Sequence, residues 1–168
     1  MQLIKVAVTD IDQQRRETME HFLQQDKQQI AVLTDVLSKQ NERVNERRLK
    51  SRQNITLIEN SLARVNRLKP KVLFVSAQYF LDADCMFFAL LRRQCPEIWV
   101  IVLTDETTEE NGMMKALANG VRGFLNHKTS FVDLLKAAKA VEHGEAWVPR
   151  KWHGRIMGEI LHASYKIP

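Results

Sequence analysis

The chain predicts an α/β fold, a five-stranded parallel sheet with helices on both faces. Two observations carry this expectation. Short runs rich in β-branched residues alternate with longer stretches of helical period. The strand runs are apolar at nearly every position, which suits strands covered on both sides. Strands repeating with intervening helices close through right-handed crossovers onto a parallel sheet.

"IKVAV" (4–8) reads as the first strand. A polar helix follows over roughly 12–25, with Met19, Phe22 and Leu23 at i, i+3 and i+4. "IAVL" (30–33) is the second strand. "ITLIENSLARVNRL" (55–68) puts Ile58, Leu62 and Val65 on one helical stripe, which Pro70 ends. "VLFV" (72–75) is the third strand, running straight into Ser76, and "DCMFFALLRRQ" (84–94) the next helix. "WVIVLT" (99–104) is the fourth strand, before a helix in "TTEENGMMKALANG" with Gly120 as its C-terminal cap. "GFL" (123–125) is a short fifth strand. "SFVDLLKAAKAVEHG" opens on Ser130 and Asp133, relatives of a capping box, and closes at Gly144. By analogy with other folds of this count, the strand order expected is the flavodoxin-like 2-1-3-4-5.

The 168 residues, 45% hydrophobic and 27% charged, suit one globular domain with a short appendage. The longest apolar runs, such as "WVIVL" (99–103), are too short to span a bilayer, and the N-terminus lacks a signal peptide's apolar region. A cytoplasmic chain with no membrane partner is expected. Cys85 and Cys95 fall in one expected helix without a histidine at ligand spacing, so partly buried thiols are expected, not a disulfide or a metal site. No Gly-rich phosphate loop and no metal-ligand cluster is evident. The expectation is no enzyme, no catalytic residue, no metal and no cofactor.

The formal net charge of +5 is unevenly placed. Segment 38–54 carries six Lys/Arg against two Glu, and "PRKWHGR" (149–155) is a second basic cluster. Arg43, Arg47, Arg48, Lys50 and Arg52 are therefore candidate phosphate-backbone contacts. A solvated helix face or loop is the commoner use of such a run.

The stretch "PEIWVIVLTDETTEENGMMKALANGVRGFLNHKTSFVDLLKAAKAVEHGEAW" (96–147) resembles the receiver domains of two-component response regulators, of the NarL/LuxR type. Thr104, "GVRGF" (120–124) and "GEAW" (144–147) sit in register with that family's pattern, and residues 1–33 and 70–95 match it in outline. The resemblance implies a CheY-like receiver over 1–149, with the basic insertion at about 38–54. Residues 150–168 are then expected to be a linker and helix, too short for the helix-turn-helix effector domain that follows in such regulators.

In receivers an aspartate after the third strand takes a phosphoryl group, an acidic pair after the first strand holds Mg²⁺, and a threonine and a lysine contact the phosphoryl oxygens. Carried onto this chain, the acceptor position is Ser76, the acidic pair is Asp10 with Ile11, the threonine is Thr104 and the lysine position is His127. Phe124 takes the place of the receivers' switch aromatic. A serine hydroxyl needs an adjacent base to be a nucleophile, whereas a carboxylate is already ionised. One acid beside an isoleucine makes a poor Mg²⁺ site. Asp12 reads as a helix N-cap, while Lys128 and Asp105 could approach the pocket. Ser76 paired with His127 imitates a nucleophile and base, but both map onto substituted receiver positions, and a hydrolase reading would need a third residue to orient the histidine.

The expectation is thus a pseudo-receiver, acting in signal transduction or transcription regulation through protein contacts or dimerisation, without aspartyl phosphorylation. A homodimer through the last helices, among them 150–163, is expected; an effector domain or protein partner is implied. Two alternatives stand beside it: a nucleic-acid-binding regulator using the basic clusters, and a receiver phosphorylated at a non-standard residue. Segment 34–69 has no aromatic residue on which bases would stack. DNA binding by this chain is therefore expected to be weak and non-specific. Fluorescence anisotropy at physiological salt checks it; sub-micromolar, sequence-selective binding lost on deleting 38–54 would contradict it.

Overall fold

In the computed structural model, residues 3–34, 51–80 and 85–165 are described, without the side chains of 51–55, 80, 160 and 163–165. The strands are β1 (Ile4–Thr9), β2 (Ile30–Val32), β3 (Val72–Ser76), β4 (Trp99–Thr104) and β5 (Gly123–Asn126). The helices are α1 (Gln13–Leu23), α2 (Ser51–Leu68), α3 (Met86–Gln94), α4 (Glu110–Ala118), α5 (Phe131–Glu142) and α6 (His153–Tyr165). Short 3-10 turns at Ala77–Phe80 and Arg150–Trp152 follow β3 and precede α6. All strand pairs are parallel and the order is β2-β1-β3-β4-β5, as the sequence suggests.

The uniform apolarity of the strands has its cause in two separate cores. Val6, Val8, Phe74, Ile101 and Leu125 point to one face, where Leu23 of α1 and Leu134, Ala138 and Val141 of α5 cover them. Ala7, Leu73, Val75, Val102 and Phe124 alternate onto the other, beneath Leu62 and Val65 of α2, Phe87 and Leu91 of α3 and Met113 of α4. Period-2 alternation thus places apolar residues into both cores.

Several helix ends are set by the residues expected. The Asp12 carboxylate caps α1, accepting from the Gln14 and Arg15 amides. The Ser130 hydroxyl caps α5, accepting from the Asp133 amide. Gly120 and Gly144 take the left-handed conformation, at φ +97° and +86°. Other boundaries differ. α2 is helical from Ser51, earlier than residue 55, so the last residues of the basic segment belong to it. α3 begins at Met86, because Cys85 has a left-handed φ of 50° that no helix continues through. The two cysteines therefore flank α3 instead of lying inside it, and both are buried. α4 begins only at Glu110, since Thr107 and Thr108 are held in a turn by Asp105.

Gly123 lies where β5 passes closest to its neighbours. A Cβ there would stand 2.9 Å from Ile101 Cγ1 and 3.2 Å from Val141 Cγ2. Both are β-branched core side chains with little freedom to yield. Gly123→Ala is expected to destabilise by about 1–3 kcal/mol, as overpacking does. Chemical denaturation checks it, and an unchanged midpoint would show that β5 relaxes freely.

Candidate functional site

Parallel strands carry their last residues to one edge of the sheet, so Asp10, Ser76, Thr104 and His127 gather at the C-terminal ends of β1, β3, β4 and β5. Ser76 ends β3 opposite Leu103 and is buried, while Thr104 ends β4 opposite Asn126. Ile11 turns down onto the α2–α3 core.

The centre of this edge is an ion pair that the sequence reading missed. Arg15, in the first turn of α1, reaches back and grips Asp10 with two parallel bonds: Nε donates to Oδ2 at 2.7 Å and Nη2 to Oδ1 at 2.6 Å. Asp10 Oδ1 also accepts from the Asp12 amide at 2.9 Å. The same Arg15 Nη2 donates to Gln78 Oε1 at 2.6 Å, in the turn after β3. The Gln78 amide in turn donates to Ser76 Oγ at 3.3 Å. Asp10, Arg15, Gln78 and Ser76 thus form one chain across the mouth of β1 and β3. The Asp10 side chain is 8% exposed and Arg15 42%. The carboxylate beside it raises the arginine's pKa further, so this cation stays charged at any working pH.

The other candidates are turned to local tasks. Thr104 Oγ1 donates to the Leu125 carbonyl at 3.2 Å. The exposed His127 places Nδ1 3.1 Å from the Thr104 carbonyl, and its backbone amide donates to that same oxygen at 3.0 Å. Asp105 accepts from the Thr107 amide and from the hydroxyls of Thr107 and Thr108; the Thr107 hydroxyl does most to hold its carboxyl below the usual range. Lys128 faces Glu106 across 3.8 Å, both well exposed, and does not replace the lysine of a receiver pocket. Phe124 is 2% exposed and meets Trp152 edge-on, with centroids 5.8 Å apart. Arg43, Arg47, Arg48 and Lys50 lie outside the described residues, as does the side chain of Arg52.

A divalent cation fits this edge poorly. Mg²⁺ seeks several hard oxygen donors in octahedral array. Here the Asp10 carboxylate is already bidentate to a guanidinium, those of Asp12 and Asp105 are engaged in capping α1 and in the Thr107–Thr108 turn, Ile11 offers no oxygen, and Ser76 is neutral. Among the described residues, no group of three or more His, Cys, Asp or Glu is placed to hold a metal. No helix among them is long and apolar enough to cross a membrane.

Beneath the edge, Tyr79 anchors the turn after β3. It is buried, stacks at a tilt on Phe87 at 4.6 Å, and shares a 2.8 Å hydrogen bond with the Ser61 hydroxyl. Burial pushes its phenol up to about 12. A folded-state value above the unfolded one contributes stability that is full below about pH 10 and lost as pH climbs toward 12. Tyr79→Phe is expected to flatten this fall in a pH series of denaturation curves. An identical slope in both proteins would exclude Tyr79 as its source.

No family model and no curated protein matches the chain. Solved structures do. The receiver domain of RcsB from Salmonella enterica serovar Typhimurium is 18% identical at a TM-score of 0.61, over 92% of this chain and 98% of that one. A LuxR-family two-component response regulator from Aurantimonas is 10% identical at 0.61, over 95% and 99%. The Vibrio cholerae chemotaxis protein CheY4 is 18% identical at 0.56, over 83% and 99%. At these identities the likeness is one of fold, and the fold is that of a response-regulator receiver domain, five parallel strands wrapped by helices.

Proposed function

We propose that this chain is a regulatory receiver-type domain that works through protein contacts and without aspartyl phosphorylation. One observation carries the reading: the Arg15 guanidinium sits bidentate on Asp10, where a receiver's acidic residues would meet a metal. A cation from the chain itself already satisfies the carboxylate, and a divalent ion would have to displace two charge-assisted bonds to reach it.

The chemistry of Ser76 points the same way. Phosphoryl transfer to a hydroxyl requires a group that takes its proton. The partner found for Ser76 Oγ among the described residues is the Gln78 amide, which donates and takes no proton. The His127 ring is held through Nδ1 on the Thr104 carbonyl, and among the described residues no hydrogen bond joins it to Ser76. This edge supports neither a nucleophile nor a metal-bridged phosphate, so the reading includes no enzyme activity. Signalling would then depend on which proteins the domain touches. Incubation with acetyl phosphate and Mg²⁺ followed by intact mass is expected to return the unmodified chain. A stoichiometric adduct of about 80 Da, the mass of one phosphoryl group, would overturn the proposal wherever it formed.

A further inference from the structure

The last helix is joined to the body only at its start. Trp152, just before it, is buried; Ile156 packs on the α2–α3 core, and Arg155 pairs with Glu110 at 2.9 Å and donates to Asn111 Oδ1 at 2.9 Å. From Met157 onward the described side chains of α6 are all exposed. Of the five large hydrophobic residues exposed among the described residues, α6 holds two, Met157 at 55% and Leu161 at 53%. Gly154 and Gly158 complete their stripe, since 154, 157, 158 and 161 stand at i, i+3, i+4 and i+7. A Cβ built on either glycine meets nothing within 4 Å. A helix of 13 residues is marginal in water, and Gly158 in its interior weakens it further, so an uncovered α6 is poorly supported.

We infer that the cover is a second copy of the chain, with α6 packed antiparallel on α6 about a twofold axis passing between Met157 and Gly158. The argument is one of size. That axis sets Met157 against Gly158 of the partner subunit and Leu161 against Gly154 of the partner subunit. Each large side chain then enters the gap left by a glycine, twice over by symmetry, as an isologous interface requires. The stripe carries no charged residue, so the pairing buries no unpaired ion. An unrelated partner would have no need of glycines spaced as the mirror image of the two large residues. The inference uses no feature of the Asp10–Ser76 edge: a chain that dimerised and also accepted a phosphoryl group would retain it while losing the preceding proposal.

Sedimentation velocity on the full chain across the micromolar range tests it. The unaltered protein is expected to form a dimer. Leu161→Lys should weaken association about tenfold or more. Gly154→Leu should weaken it too, although it adds apolar surface, because it fills the gap. The swap Gly154→Leu with Leu161→Gly restores a large residue opposite a glycine and should restore the dimer. Far-ultraviolet circular dichroism and Trp emission confirm that each variant is folded. A monomer at high micromolar concentration overturns the inference. So does a dimer indifferent to Leu161→Lys, which would lie on another surface, or one strengthened by Gly154→Leu, which would be a merely greasy face.

Discussion

Everything in this molecule is arranged around β3. It pairs with β1 on one side and β4 on the other, and Val72 to Val75 are wholly inaccessible to solvent. A parallel strand buried on both faces has no room for polar chemistry along its length, because any unpaired polar group there would carry a desolvation penalty. Polar side chains are therefore driven to where the strands end. Since the strands are parallel, those ends share one edge, and Asp10, Ser76, Thr104 and His127 meet there as a consequence of topology. What the edge does depends on which residues arrive, not on the fold that delivers them.

Here a cation arrives from the protein itself. The first turn of α1 holds Arg15 and Arg16 and no acidic residue, so positive charge sits at the positive end of the helix dipole. Such a placement needs anions close by, and both arginines have one. Arg15 takes Asp10, while Arg16 approaches Glu20 at 3.1 Å, one turn along. Glu20 in turn faces Arg64 of α2 at 3.9 Å, and Arg64 Nη1 donates to the Val8 carbonyl of β1 at 2.7 Å. Burial pushes the Glu20 carboxyl up, against the pull of the two guanidiniums. These charges are compensated in sequence from the end of β1 through α1 to α2. Removing one partner would strand another in a dry setting, the costly way to break a buried pair. Asp10 thus belongs to the charge balance of the fold, a role that does not invoke a metal.

Strands were legible in the sequence because two-sided burial writes an unbroken apolar run, and helix ends were legible where a small polar cap or a glycine marks them, as at Asp12, Ser130, Gly120 and Gly144. The start of α3 was not, because nothing in "DCMFF" announces that Cys85 takes a left-handed turn. The members of the site followed from their places after the strands, yet its central contact did not. Arg15 reads as one more charge on a polar helix, and its reach back to Asp10 and across to Gln78 is a three-dimensional fact. One signal was available: two arginines in a helix's first turn, within six residues of Asp10. Tyr79 and Trp152 were missed for a different reason, since an aromatic in a loop gives no period by which to infer its depth.

The C-terminal segment shows how an element outside the repeating pattern acquires a fixed place. Trp147 bridges in parallel to Gly123; its amide donates to the Arg122 carbonyl, and its carbonyl accepts from the Phe124 amide at 2.8 Å. This gives the exposed side of β5 a partner, which an edge strand otherwise lacks. The chain then turns through Pro149, and Trp152 closes over Phe124. Phe124 is 2% exposed and meets the indole edge-on, so this contact joins β5 to the start of α6. Arg155, tied to Glu110 and Asn111 at the start of α4, adds a polar tether to the same arrangement. Held at its first turn by an aromatic and an ion pair, α6 has its orientation set by the body of the domain, while its glycine, methionine and leucine stripe lies on the opposite side from Ile156.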